Sequence, residues 1–138
     1  MNRKEALAKI CKQYFIQTLY VFGSRSKSIQ AWILEGLPLS ANNSSDVDVG
    51  IKPNKTLSIR DKVMLAQQLE DFFGVSHVDV VLLTEADPFL AANIIRGERL
   101  YTEDTYLADE YDLYILRRAA DLIPLELERQ QLILDRHT

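Results

Sequence analysis

The chain has 138 residues, of which 47% are hydrophobic and 26% charged, with a formal net charge of −4. This suits one compact domain, is too apolar for a disordered chain, and is too acidic for a long nucleic-acid footprint, which needs clustered Lys and Arg. No apolar stretch has the length of a membrane span, the first residues lack a signal-peptide core, and a single cysteine cannot form an internal disulfide, so a reducing, cytoplasmic location is the expectation.

In chain order, Leu7, Ile10, Cys11, Tyr14 and Phe15 recur at helical spacing and predict an amphipathic helix over 2–17, with Cys11 on its apolar stripe. Residues 18–22 read as a strand that runs into the small-residue turn Gly23-Ser24. Residues 26–45 read as an inserted loop, with one helical turn near 29–35. There Trp32, Ile33 and Leu34 either fold back on the core or offer an apolar contact. Residues 46–52 predict a strand with Val47, Val49 and Ile51 on one face and Asp46, Asp48 and Gly50 on the other.

Ser58, with Asp61 three residues later, is an N-cap signal. The stripe Ile59, Val63, Ala66, Leu69, Phe72 and Phe73 then predicts a helix that Gly74 ends. Residues 77–83 predict a strand. Asp87-Pro88 is an N-cap with proline at the first helical position, and that helix runs to Gly97 before a short strand at 99–101. Residues 104–136 are helical in pattern, with a kink or break expected at Pro124. No linker or repeat divides the chain, so one α/β (α+β) domain over 1–138 is expected, a small mixed sheet flanked by helices with a C-terminal helical segment.

Three carboxylates stand inside these apolar strands. Asp46 and Asp48 project from the same strand face, roughly 7 Å apart along the strand, and Asp79 lies in the next strand. Like charges this close repel, and a divalent cation removes the conflict. Magnesium takes one or two carboxylates plus substrate phosphate oxygens, so Asp46, Asp48 and Asp79 are the candidate ligands. Two ions about 4 Å apart would activate an attacking oxygen and stabilise a leaving one. Asp79 is also placed to take the proton of an attacking hydroxyl. Gly23 and Ser24 offer backbone amides and a hydroxyl to a phosphate, and Arg25 adds charge-assisted bonds to a leaving pyrophosphate. His77, two residues before Asp79 on the same face, reads as an exposed residue with a metal role open to it, and His137 as part of a frayed tail.

These residues resemble the polymerase-beta-like nucleotidyltransferase superfamily, and within it the minimal nucleotidyltransferases such as the MntA-type antitoxins of prokaryotic HEPN/MNT toxin–antitoxin pairs. Four stretches carry the likeness: Val21-Phe22-Gly23-Ser24-Arg25, Ser45-Asp46-Val47-Asp48-Val49, Val78-Asp79-Val80-Val81, and Ile94-Ile95-Arg96-Gly97-Glu98-Arg99-Leu100-Tyr101. The resemblance implies the polymerase-beta-like fold, a triphosphate held by Gly23 and Ser24, and Mg2+ on Asp46 and Asp48 with Asp79 as third carboxylate. It implies a reaction in which a nucleoside monophosphate passes from a triphosphate such as ATP to a hydroxyl. In the antitoxin members the acceptor is a tyrosine of the partner HEPN ribonuclease toxin, so a hetero-oligomer is implied. The chain departs from the family pattern in the long stretch between Ser24 and Asp46, and in having Ser28 where a glycine is usual.

Two alternatives stay open at this point. One is a non-catalytic binding module, suggested by the insert and by Tyr101, Tyr106, Tyr111 and Tyr114. The other is nucleotidylation of a small molecule, as in the related antibiotic-modifying transferases, which usually carry a further helical domain.

Overall fold

The computed structural model describes residues 2–37 and 46–135. A four-stranded sheet forms the middle of the domain, in the order β3-β2-β1-β4. The strands are β1 (Ile16–Phe22), β2 (Val47–Pro53), β3 (Val78–Leu82) and β4 (Glu98–Thr102). β1 runs antiparallel to both β2 and β4, and β2 runs parallel to β3. The sheet is therefore mixed, as expected. Every residue of β1 is buried, which follows from its central place between two paired neighbours and two covered faces.

Helices cover both faces. On one side α1 (Arg3–Gln13), α2 (Ser26–Leu34) and α3 (Ile59–Phe73) close a core around Leu7, Leu19, Val21, Ile29, Val49, Ile51, Leu65 and Leu69. On the other side α4 (Pro88–Ile95) and α5 (Thr105–Asp135) pack Ala91, Ile94, Ile115 and Ala119 on Tyr20 and Phe22. The alternation along β2 is the one read from sequence: Val47, Val49 and Ile51 enter the first core, and Gly50 faces α4. A Cβ on Gly50 would lie 2.3 Å from Ile94 Cγ2, so the bare backbone there is what lets α4 approach the sheet.

The capping signals are realised. Ser58 Oγ accepts from the Asp61 amide at 3.0 Å, and Asp87 Oδ1 accepts from Phe89 and Leu90 at 2.9 Å each. Each cap stabilises its helix by about 1 kcal/mol. Gly74 closes α3 in the left-handed region at φ 70°.

Several expectations need correction. The first helix stops at Gln13, not 17, and Ile16 already belongs to β1. The segment 26–45, read as an inserted loop, carries the nine-residue helix α2 over 26–34. Its Ile29 and Ile33 are buried, and Trp32 packs edge-on against Phe72 at 5.2 Å, so this part of the insert folds onto the core while Leu34 stays exposed. Residues 38–45, including Ser45, lie outside the described residues, as does His137. On α3 the buried stripe is Leu65, Leu69 and Phe73; Ile59 and Val63 face outward. Pro124 does not end the helix: α5 is continuous for 31 residues. Pro124 has no amide to offer the Ala120 carbonyl, and Ala120 is an exposed residue of the helix.

Candidate active site

β1 and β2 pair so that Phe22 stands opposite Asp48, and β2 and β3 pair so that Asp48 stands beside Asp79. The strand period then puts Asp48 and Asp79 on the same face, the one that carries Gly50 and α4. Asp46 immediately precedes β2 and is exposed. One ligand atom each of Asp46, His77 and Asp79 lie within 4.8 Å of one another. Asp46 and Asp79 therefore meet around His77, while Asp48 stands in register with Asp79 on the next strand and feels the charge of both.

Their electrostatics show the conflict expected of crowded acids. The Asp48 carboxyl is pushed above its usual range, first by burial, then by the charges of Asp79 and Asp46. His77 lies beside them. Its Nε2 is 2.8 Å from Asp79 Oδ1, and this hydrogen bond, with the charge of Asp79, pushes the imidazole above the usual histidine range. Its Nδ1 is 3.9 Å from Glu70 Oε2, and that same oxygen accepts the Val78 backbone amide at 3.1 Å.

The turn after β1 closes over this cluster. Gly23 has φ +82°, and a Cβ there would lie 2.8 Å from Asp48 Oδ2. Glycine thus serves twice, by taking a left-handed backbone and by leaving the carboxylate room. Ser26 donates its amide to Gly23 O at 3.3 Å, and α2 begins directly after it. The helix N-terminus and the turn amides therefore sit at the carboxylate edge, a placement that suits a phosphate. Ser24 is exposed, whereas Arg25 is 9% exposed and stands at the head of α2.

Sequence reasoning missed the support beneath the turn. A Cβ on Gly97 would lie 2.3 Å from the carbonyl oxygen of Val21 and 3.0 Å from Phe22 Cα, so the α4–β4 junction presses against the end of β1. Next to it, Glu98 accepts from Gln30 Nε2 at 2.7 Å and lies 3.7 Å from Lys27 Nζ, which ties β4 to the first turns of α2. The run Arg96-Gly97-Glu98 was visible as a motif, but only the β1–β4 register gives it a physical purpose. Of the four tyrosines proposed as a contact surface, Tyr106 and Tyr114 are exposed, and Tyr111 is partly covered with Lys52 Nζ 4.4 Å from its ring centre.

The donor set fits a divalent metal. Carboxylate oxygens of Asp46 and Asp79 converge beside His77, and burial followed by the charges of Asp79 and Asp46 raises the Asp48 carboxyl. Among the described residues no helix is long and apolar enough to cross a membrane.

Comparison with known proteins places this geometry. No curated protein matches the chain at a significant level. Among solved structures, a chain from a mutant of the toxin–antitoxin MntA–HpeT superposes with a TM-score of 0.69 at 21% identity, covering 100% of both chains. A chain from a toxin–antitoxin with AMP-PNP gives 0.68 at 22% identity over 98% of each chain. A chain from a complex of tri-AMPylated Shewanella oneidensis HEPN toxin with MNT antitoxin gives 0.63 at 24% identity, over 99% of this chain and 97% of that one. At such identities the likeness is one of fold. Residues 5–106, which span the sheet, the turn and all three carboxylates, match the family described as polymerase beta, nucleotidyltransferase, and the chain belongs to that family.

Proposed function

We propose that the protein is a magnesium-dependent nucleotidyltransferase acting as an antitoxin, which transfers AMP from ATP to a tyrosine hydroxyl of a partner HEPN ribonuclease. The observation that carries the reading is the pairing of Asp48 with Asp79 across β2 and β3, beside a glycine turn where a side chain at Gly23 would crowd the Asp48 carboxylate. The solved relatives include a toxin–antitoxin with AMP-PNP and an AMPylated HEPN toxin with its MNT antitoxin, which supports ATP and a HEPN partner for this chain.

The roles follow from position. Asp46, Asp48 and Asp79 would hold magnesium, which would supply charge neutralisation to the triphosphate and to the departing pyrophosphate. Gly23 and Ser24 offer amides and a hydroxyl to the phosphate oxygens, and Gly97 and Glu98 keep that turn seated on the sheet. Arg25, at the head of α2, adds positive potential at the same corner. The acceptor hydroxyl oxygen bonds to the α-phosphorus as the bond from that phosphorus to the bridging oxygen breaks. Pyrophosphate leaves, and Asp79 accepts the hydroxyl proton.

The test is to incubate the protein with Mg2+, each of the four nucleoside triphosphates and the HEPN ribonuclease proposed as its partner. The expected result is a mass gain of one or more nucleoside monophosphates on a partner tyrosine, lost in Asp46→Asn. No gain with any triphosphate sinks the reading.

A second reading, inhibition by contact alone, is favoured by the exposed Leu125, Leu127, Leu132 and Leu134 on the outer half of α5. It wins if a variant with all three aspartates changed to Asn still neutralises the ribonuclease fully.

A further inference from the structure

We propose that His77 supplies an imidazole nitrogen to the metal centre, making a mixed nitrogen and oxygen site that takes a first-row transition ion such as Zn2+ or Co2+ more tightly than Mg2+. The inference rests on the metal-centre reading above and goes beyond it in the ligand and in the ion.

Three observations carry it. His77 Nε2 and Asp79 Oδ1 are 2.8 Å apart, and with an Asp46 oxygen they form a set within 4.8 Å. Two neighbouring ligands of an octahedral ion at about 2.1 Å stand roughly 3 Å apart, so this edge needs little adjustment to close on a cation. The second observation is the other side of the ring. A metal-binding histidine usually directs its remaining N–H at a carboxylate, which fixes the ring and raises its basicity. Here Nδ1 lies 3.9 Å from Glu70 Oε2, longer than a hydrogen bond but within ion-pair range, and Glu70 is itself held by the Val78 amide at 3.1 Å. The third is chemical. Magnesium prefers oxygen donors and keeps its waters, whereas imidazole favours zinc, cobalt and nickel. A set of Asp46, His77 and Asp79 therefore discriminates in favour of the softer ions. His77 is half-exposed just before β3, so the position tolerates substitution without loss of core.

Calorimetric titration of the metal-free full chain with ZnCl2 and, separately, MgCl2 tests this on the wild type, His77→Gln, Glu70→Gln and Asp48→Asn. The expected result is that His77→Gln weakens Zn2+ by about tenfold or more while changing Mg2+ less than about twofold, and that Glu70→Gln weakens Zn2+ by a smaller factor. Unchanged Zn2+ affinity in His77→Gln overturns the proposal. So does tighter binding of both ions, which would mean that the imidazole only competes with metal for Asp79. If Asp48→Asn abolishes Mg2+ binding while His77→Gln is silent, the carboxylate centre stands and the histidine role alone falls. If Mg2+ binding is indifferent to Asp48→Asn, the parent reading fails instead.

Discussion

Asp48 shows most sharply why single residues matter here. Burial and two neighbouring acids raise its carboxyl, so the folded, metal-free protein binds that proton more tightly than the unfolded chain does. Stability of the metal-free protein is consequently lower above the raised value and recovers as pH falls through it. A cation should relieve the same stress at neutral pH. Mg2+ at about 100 times its dissociation constant would add about 2.7 kcal/mol to the wild type. Differential scanning fluorimetry should therefore show a Tm rise with Mg2+ in the wild type and none in Asp48→Asn, whose metal-free Tm should equal or exceed that of the wild type. His77 shifts stability in the same pH direction, but through a favourable contact of its charged form rather than a penalty on it. Its hydrogen bond with Asp79 raises the imidazole, so the stabilisation is fully present below the unfolded histidine value and is lost as pH rises through the folded one. NMR titration of the metal-free protein should find His77 above the ordinary histidine range, and Asp79→Asn should bring it down.

The elements show what spacing in a sequence reveals and what it hides. Asp46, Asp48 and Asp79 stood out because acids in Val-rich runs oppose both propensity and burial, and the strand period gave Asp46 and Asp48 a common face, whereas the place of Asp79 beside Asp48 needed the β2–β3 register. Helix α2 was not legible, because Ser26, Lys27, Ser28 and Gln30 dilute its apolar pattern to Ile29 and Ile33, which matter only because the sheet lies beneath them. Replacing Ile29 with Ala should cost about 2–5 kcal/mol in urea unfolding, far more than a loop residue would. On α3 two apolar ridges compete, and sequence cannot say which one faces the sheet. Leu65, Leu69 and Phe73 win, so Ile59→Ala should change stability by less than about 0.5 kcal/mol in the same assay. Pro124 broke no helix, and it falls on a mostly exposed stretch of α5, a fact of exposure that composition does not carry. Gly97 needed the tertiary register most of all. A Cβ there would strike the Val21 carbonyl, and Gly97→Ala should destabilise by about 1–3 kcal/mol while also unseating the Gly23 turn.

At the scale of the molecule, the family match ends at residue 106, close to where α5 begins, and the sheet with its carboxylate edge is complete by then. The first part of α5 packs on α4 and is tied down by Tyr20 and Arg99, which share Asp112. The outer part carries exposed leucines and no core residue. Changing Leu125, Leu127, Leu132 and Leu134 together to Ser should leave Mg2+ binding unchanged and cost less than about 0.5 kcal/mol per site, read by calorimetry and urea unfolding. Catalysis and partner contact would then be separable along the chain.

The most direct measurement is anomalous scattering from a crystal soaked with Mn2+ and a non-hydrolysable ATP analogue. A manganese peak bonded to Asp46 and Asp48, with the triphosphate under the Gly23-Ser24 turn, is the expected result. A triphosphate bound elsewhere, or a manganese ion that avoids these carboxylates, would contradict it.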